Sequence, residues 1–308
     1  MSVHGLTAQE TARLTRRVTT LSVATALVLT VLKAVAWQAS GSTALLASLA
    51  DSSLDLIASL ATFFAVRYAV APPDAEHRFG HGKTEAFAGL LQAGLVFASA
   101  ALVAREAVAR LLDPRPIGEG AWAVGVMAVS TVLTLVLIRA QTLVLRKTTS
   151  VAVSGDRAHY LSDLASNLIA LVGVACAAWL GLTGVDAVAA LLIAALLLWG
   201  AVGVFREASA QLLDRELPDA ERDEIRRLAL ADPRISGVHQ LRTRASGPYV
   251  HIQMHMELAP DVSLEAAHQL IVAAEKRILE SFPAADILIH ADPRGRAEPH
   301  GGAFQEAR

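Results

Sequence analysis

Long apolar blocks separated by short polar breaks fill the chain from about residue 18 to residue 205, after which the blocks stop and charge density rises. A bilayer asks for ~20 consecutive apolar residues in a crossing helix. Six stretches meet that length, at approximately 17–37, 43–69, 86–111, 121–145, 151–180 and 185–205. The breaks carry turn chemistry: Ser40-Gly41-Ser42, Pro72-Pro73-Asp74, Asp113-Pro114-Arg115-Pro116 and the stretch from Gly181 to Gly184. From Pro218 the pattern changes to helix, strand, strand, helix, strand. Asp219 is placed to cap a charged helix running to about Leu230. Strands are predicted at 238–244 and 249–258, a helix from Ser263 to about Phe282, and a last strand at 286–291. The expected fold is an all-α six-span transmembrane helix bundle followed by a cytoplasmic α+β ferredoxin-like (αββαβ) domain.

Two of the six blocks are polar along one stripe. In the second block the stripe is Ser48, Asp51, Ser52, Asp55, Ser59 and Thr62; in the fifth it is Asp156, His159, Asp163, Ser166 and Asn167. An ionisable side chain in hydrocarbon costs roughly 2.5–3.5 kcal/mol even on the lenient insertion scale. Neither stripe tolerates lipid, so both must face protein or a water-filled cavity. A spacing of four puts Asp51 with Asp55, and His159 with Asp163, on one helix face a turn apart. Turned toward each other, the two faces offer three carboxylates and one imidazole, a tetrahedral donor set for a divalent cation such as zinc. The bland alternative is a buried polar cluster that glues helices together. Two paired sets on two spans weigh against it.

Composition narrows the rest. The 308 residues are 54% hydrophobic with mean hydropathy +0.45, and a net charge of −2 argues against nucleic acid as a partner. The sole cysteine, Cys176, lies mid-span, so any metal site uses oxygen and nitrogen ligands. No small-residue cleavage site follows the first block, which therefore reads as a retained helix rather than a signal peptide. Arg13, Arg16 and Arg17 precede the first block, Arg78 and Lys83 lie between the second and third, and Arg139, Arg146 and Lys147 mark the junction of the fourth and fifth. The opposite loops hold little positive charge, although Arg105 and Arg110 run against the trend. The balance places both termini in the cytoplasm. Lys33 is expected to snorkel toward the outer interface near Trp37.

Two further constellations lie outside the spans. Asp74, His77 and His81 stand three and four apart, a chelating arrangement if the segment turns helically, which Gly80 and Gly82 put in question. A solvated loop with two histidines is the competing account. In the strand at 249–258, Val250, Ile252, Met254 and Met256 form the apolar face and leave His251, Gln253 and His255 on the other. In the last strand Ile287 and Ile289 point one way, His290 and Asp292 the other. His239 starts the first strand and His268 lies on the second helix of this region. These histidines read either as a polar solvated sheet face or as a metal-sensing or dimer-bridging site.

Asp-x-x-x-Asp in the second block, His-x-x-x-Asp in the fifth and Phe-Gly-His-Gly-Lys before the third together resemble the cation diffusion facilitators. The likeness extends to Leu-Asp-Arg-Glu-Leu-Pro at 213–218 and Leu-Arg-Thr-Arg-Ala-Ser-Gly-Pro at 241–248, and so covers nearly the whole chain. It implies a homodimer in the bacterial inner membrane that exchanges cytosolic metal for external protons. It carries a transport site over to Asp51, Asp55, His159 and Asp163, and a loop site to Asp74, His77 and His81. A two-metal cytoplasmic site falls on His239, His255, His268, His290 and Asp292, with Asp292 bridging. A charge interlock that holds the dimer would involve Lys83, Asp214 and Arg244. The ligand pattern belongs with the zinc/iron-type branch, so Zn2+ is the expected cargo and regulator, with Fe2+ second and Cd2+ or Mn2+ as alternatives.

The implied organisation is a cytoplasmic segment at 1–16, a transmembrane domain at 17–210, a regulatory metal-binding domain at 211–293 and a disordered tail at 294–308. Two other classes compete with a proton-coupled exporter. An intramembrane metal-dependent hydrolase would also use Asp and His, but no His-Glu-x-x-His motif or Ser/Cys nucleophile constellation accompanies them. A membrane-anchored metal sensor would not need polar stripes on two spans.

Overall fold

The structure is a computed structural model that describes residues 5–41, 43–112, 121–180 and 185–296. The turns expected at 113–116 and 181–184, and the tail beyond 296, lie outside the described residues. Six long helices come first: α1 (Ala8–Ser40), α2 (Thr43–Ala69), α3 (Thr84–Leu112), α4 (Ala121–Leu145), α5 (Val151–Leu180) and α6 (Val185–Leu212). Among the described residues five of them, α1–α4 and α6, are long and apolar enough to cross a membrane by length and composition. Then follow α7 (Asp219–Ala229), β1 (Gly237–Ser246), β2 (Tyr249–Leu258), α8 (Leu264–Ser281) and β3 (Ala285–Pro293). The chain divides into two compact units, one at Ala12–Ser209 and one from Ala210 onward that includes the start of α1.

Helix ends follow from local chemistry. α1 begins at Ala8, well before the apolar block, because Thr7 and Glu10 form a reciprocal capping box. The Glu10 amide donates to Thr7 Oγ1 at 3.2 Å and the Thr7 amide donates to Glu10 Oε2 at 2.9 Å. Asp219 is not the cap of α7 as expected; Pro218 occupies that position and offers no side-chain bond. Proline pre-sets the dihedral there, and Asp219 instead sits in the first turn, 3.0 Å from Arg222. Ser263 caps α8, accepting from the Ala266 amide at 3.2 Å.

In the first unit α3 packs on α5, and α2 on both. The close approach depends on Gly155 and Gly89. A Cβ on Gly155 would lie 2.8 Å from Gln92 Cβ, and one on Gly89 would lie 2.6 Å from a Val151 methyl. Small residues at such crossings let helix backbones approach where no hydrophobic drive exists between them. The approach also closes a polar hub around the fully buried Asp156. Its Oδ2 accepts from Ser22 of α1 at 2.6 Å and Gln141 of α4 at 2.8 Å, and its Oδ1 accepts from Gln92 of α3 at 3.3 Å. Those bonds are what make a buried carboxylate tolerable.

In the second unit the sheet order is β1-β2-β3, with β1 antiparallel to β2 and β3 parallel to β2. The parallel pair requires the α8 crossover. Val250, Ile252, Met254 and Met256 are buried with Ile225 of α7 and Ala274, Ile278 and Phe282 of the α8 region, forming this unit's own core. The period-2 alternation expected for β2 therefore places its histidines on the opposite face. β1 departs from regularity: its register shifts between His239 and Arg242, and Gln240 takes φ 48° in the left-handed region. An extra residue in a strand re-aims its neighbours in this way.

Candidate metal centres

Within the helical unit, Asp55 on α2 meets His159 and Asp163 on α5. His159 Nε2 lies 2.9 Å from Asp55 Oδ1 and 3.8 Å from Asp163 Oδ2, and all three residues offer ligand atoms within 4.8 Å of one another. Asp55 and His159 are buried. The spacing of four on α5 stacks His159 over Asp163 on one face. Among the described residues, His159 Nδ1 and Asp163 Oδ2 are buried without a hydrogen-bond partner. An unmet buried polar atom is costly, and an ion bound among these three residues would satisfy both. Asp51 stands outside this trio but lines the same cavity of about 250 Å³, together with Lys33, Ser52, Ser166 and Asn167.

Lys33 turns onto α2, donating to the Ser48 carbonyl at 3.2 Å and to Ser52 Oγ at 2.5 Å, and the side chain is buried. The polar stripe of α2 offers acceptors that the lipid side does not.

The loop between α2 and α3 does not turn helically, yet it gathers Asp74, His77 and His81. Asp74 Oδ1 accepts from the His77 amide at 2.6 Å, and Asp74 Oδ2 lies 3.2 Å from His81 Nε2. The backbone amide of His77, with that of Glu76 and the His77 ring, holds the Asp74 carboxyl below its usual range. Gly80, at φ 77°, makes the reversal that a helix would not have allowed. His81 is buried against Tyr68, with ring centres 4.3 Å apart, whereas Asp74 and His77 are exposed.

In the second unit the sheet register sets His239, His255 and His290 side by side in one row across all three strands. Ring centres are 5.2 Å apart for the first pair and 4.8 Å for the second. Asp292 closes the group. Its Oδ2 lies 2.9 Å from His255 Nδ1 and 3.2 Å from His239 Nε2, and its Oδ1 lies 3.3 Å from His290 Nε2. Burial pushes the Asp292 carboxyl up, but His255 and the other two histidines outweigh it and leave the group below its usual range. Among the described residues the metal-capable group is His239, His255 and Asp292; His290 stands at its edge through Asp292 Oδ1, and His268 is exposed on α8, outside it. Arg244 donates to Asp214 at 3.1 Å, and Asp214 adopts φ 54°.

The stripe of α5 splits in a way that periodicity concealed. Asp156 belongs to the hub with Ser22, Gln92 and Gln141, not to the metal-capable trio. Two lone amides in apolar runs, Gln92 and Gln141, were the available signal. The donors of all three clusters are imidazole nitrogens and carboxylate oxygens, which suit an exchangeable divalent ion.

The chain matches the cation efflux transmembrane domain over residues 19–213 and the cation efflux protein cytoplasmic domain over residues 217–294. It is 40% identical over 281 residues to the cation-efflux pump FieF of Salmonella arizonae, covering 91% of this chain and 93% of the relative. The FieF of Salmonella schwarzengrund is 39% identical over 293 residues, covering 95% and 97%. A solved metal-bound C-terminal domain of the CzcD transporter from Thermotoga maritima is 29% identical over 26% of this chain and 93% of its own, with a TM-score of 0.25. The chain belongs to the cation efflux family, the cation diffusion facilitators, as a multi-pass membrane protein.

Proposed function

We propose that the protein is a homodimeric Zn2+/proton antiporter that exports the metal from the cytoplasm by alternating access. Fe2+ is the second choice of cargo, with Cd2+ or Mn2+ as alternatives. The observation that carries this reading is the trio of the buried Asp55 and His159 with the half-buried Asp163, whose two carboxylates line a cavity of about 250 Å³. Asp51 supplies the fourth ligand. The reading includes six spans, a ferredoxin-like cytoplasmic domain, the bacterial inner membrane and both termini in the cytoplasm. The transmembrane domain runs over 17–210 and the regulatory domain over 211–293.

The ligand chemistry supports proton exchange. A metal requires a neutral imidazole and ionised carboxylates, so binding releases protons and weakens as pH falls. Imidazole is the ordinary titrating group near physiological pH. Protons from outside then compete the metal off after the helices rock, and the protonated site returns. The absence of thiolate from this set keeps the metal releasable.

The row of His239, His255 and His290 with Asp292 binds regulatory Zn2+, and His268 joins it from α8. Asp74, His77 and His81 form a third site at the cytoplasmic mouth. Asp214 and Arg244 take part in a charge interlock of the dimer, a reading that the bond from Arg244 to Asp214 supports. Dye-reported Zn2+ flux into liposomes carrying the wild type or Asp55→Ala tests the transport site. Flux is expected only with the wild type, and equal flux through properly inserted Asp55→Ala protein overturns the assignment.

A further inference from the structure

The transport trio accounts for Asp55, His159 and Asp163 but not for the buried cation that shares their cavity. Lys33 lies on α1, an element that supplies none of the proposed metal ligands. A buried lysine inside a membrane span faces a functional surface by default, because hydrocarbon excludes its charge. Here the ammonium is tethered by Ser48 and Ser52, on the face of α2 that carries Asp51 and Asp55. Ser52 is the residue next to Asp51, and Lys33, Asp51, Asp55 and Asp163 all line one cavity of about 250 Å³.

Charge decides what a cation can do there. Asp51, Asp55 and Asp163 carry three negative charges when ionised, and a neutral His159 adds none. A divalent ion alone leaves that set one charge negative. The Lys33 ammonium supplies the missing positive charge, so ion, ligands and lysine together are neutral. Uncompensated charge is costly even in a partly wet cavity between membrane spans.

We propose that Lys33 is the charge-balancing residue of the transport site: a fixed cation beside the ligands that makes the metal-loaded site neutral and keeps its affinity low enough for release. The proposal rests on the reading of Asp51, Asp55, His159 and Asp163 as the transport site. Lys33 touches no ligand atom of that set; it acts through the field it places across the cavity. The two serine bonds hold the ammonium in place beside the ligands.

Removing the charge should tighten metal binding and slow its release. In proteoliposomes Lys33→Gln is expected to lower the KM for Zn2+ about tenfold, as loss of one nearby charge in a partly wet site does, and to lower kcat as well. Lys33→Met, which keeps the stem without the charge, should do the same and stands in if the glutamine protein fails to insert. Lys33→Arg keeps the charge and should retain the wild-type KM. A packing role would not lower KM in both neutral variants and spare the arginine one. An unchanged or raised KM in the neutral variants overturns the proposal, and so does an arginine variant whose KM falls as far as theirs. Asp55→Ala is run in parallel. If it transports normally, the site reading itself fails; if it is inactive while Lys33→Gln keeps its KM, only the role of the lysine falls.

Discussion

The helical cluster and the sheet cluster use the same two ligand types on opposite mechanical footings. Asp55 reaches His159 and Asp163 across a gap between α2 and α5, which no backbone hydrogen bond spans. His239, His255 and His290 are instead fixed by the ladders of β1, β2 and β3, whose register sets their spacing. Helices joined by side chains can slide or rock, whereas a strand row moves only if its ladder breaks. The first arrangement fits ligands that must part and rejoin during transport. The second fits a metal that stays, stiffening a domain rather than crossing a membrane.

The contrast is broken most severely by removing a ligand from the helical cluster. Asp163→Ala should reduce Zn2+ flux about a hundredfold or more, because even the outer partners of metal ligands cost 10–100-fold. Flux assays on protein that still elutes as the wild type does would measure this. The sheet cluster should behave differently. A fragment from Pro218 to Arg294 is expected to gain about 2.7 kcal/mol of stability at Zn2+ a hundredfold above its Kd. His290→Ala should shrink that gain, and in the full chain it should lower flux without ending it. Thermal melts with and without Zn2+ give the first result and dye flux the second. Abolished flux in His290→Ala would erase the distinction between the two clusters.

The helical framework can be probed without touching a ligand. Gly155→Ala places a Cβ 2.8 Å from Gln92 and should strain the α3–α5 crossing. Overpacking of this kind costs about 1–3 kcal/mol, read as a lower melting temperature in detergent. The smallest effect is expected at Asp232, whose bonds from the Arg234 side chain and backbone hold its carboxyl at about 2. A depressed carboxyl contributes stability above its unfolded value of 3.8 and loses it as pH falls through about 2. Asp232→Asn should therefore lower the melting temperature of the fragment slightly at pH near 7, with the difference shrinking below about pH 4.

The apolar blocks made the long helices legible, and the period-2 pattern of β2 separated its core face from His251, Gln253 and His255. The i, i+4 spacings likewise placed His159 and Asp163 on one face of α5. Interactions between distant segments were less legible. Nothing in the period of α5 distinguishes Asp156 from His159; the donors Ser22, Ser59, Gln92 and Gln141, brought in from four other helices, make one a structural hub. The bonds of Lys33 to Ser48 and Ser52 were hidden for a similar reason, because its acceptors lie on a neighbouring helix. The bulge at Gln240 escaped notice because a β-branched or polar run does not reveal where a ladder slips. The Thr7/Glu10 capping box was readable in the sequence and extends α1 beyond its apolar block.

The central claim is that protons and metal compete for the cluster of Asp55, His159 and Asp163. The most direct measurement is Zn2+ flux in proteoliposomes with equal metal on both sides and an imposed pH difference. The account predicts net movement of metal against the proton flow, reversal when the gradient is reversed, and no such movement with Asp55→Ala. Flux through the wild type that ignores the pH gradient, or gradient-driven flux that survives in Asp55→Ala, would contradict it.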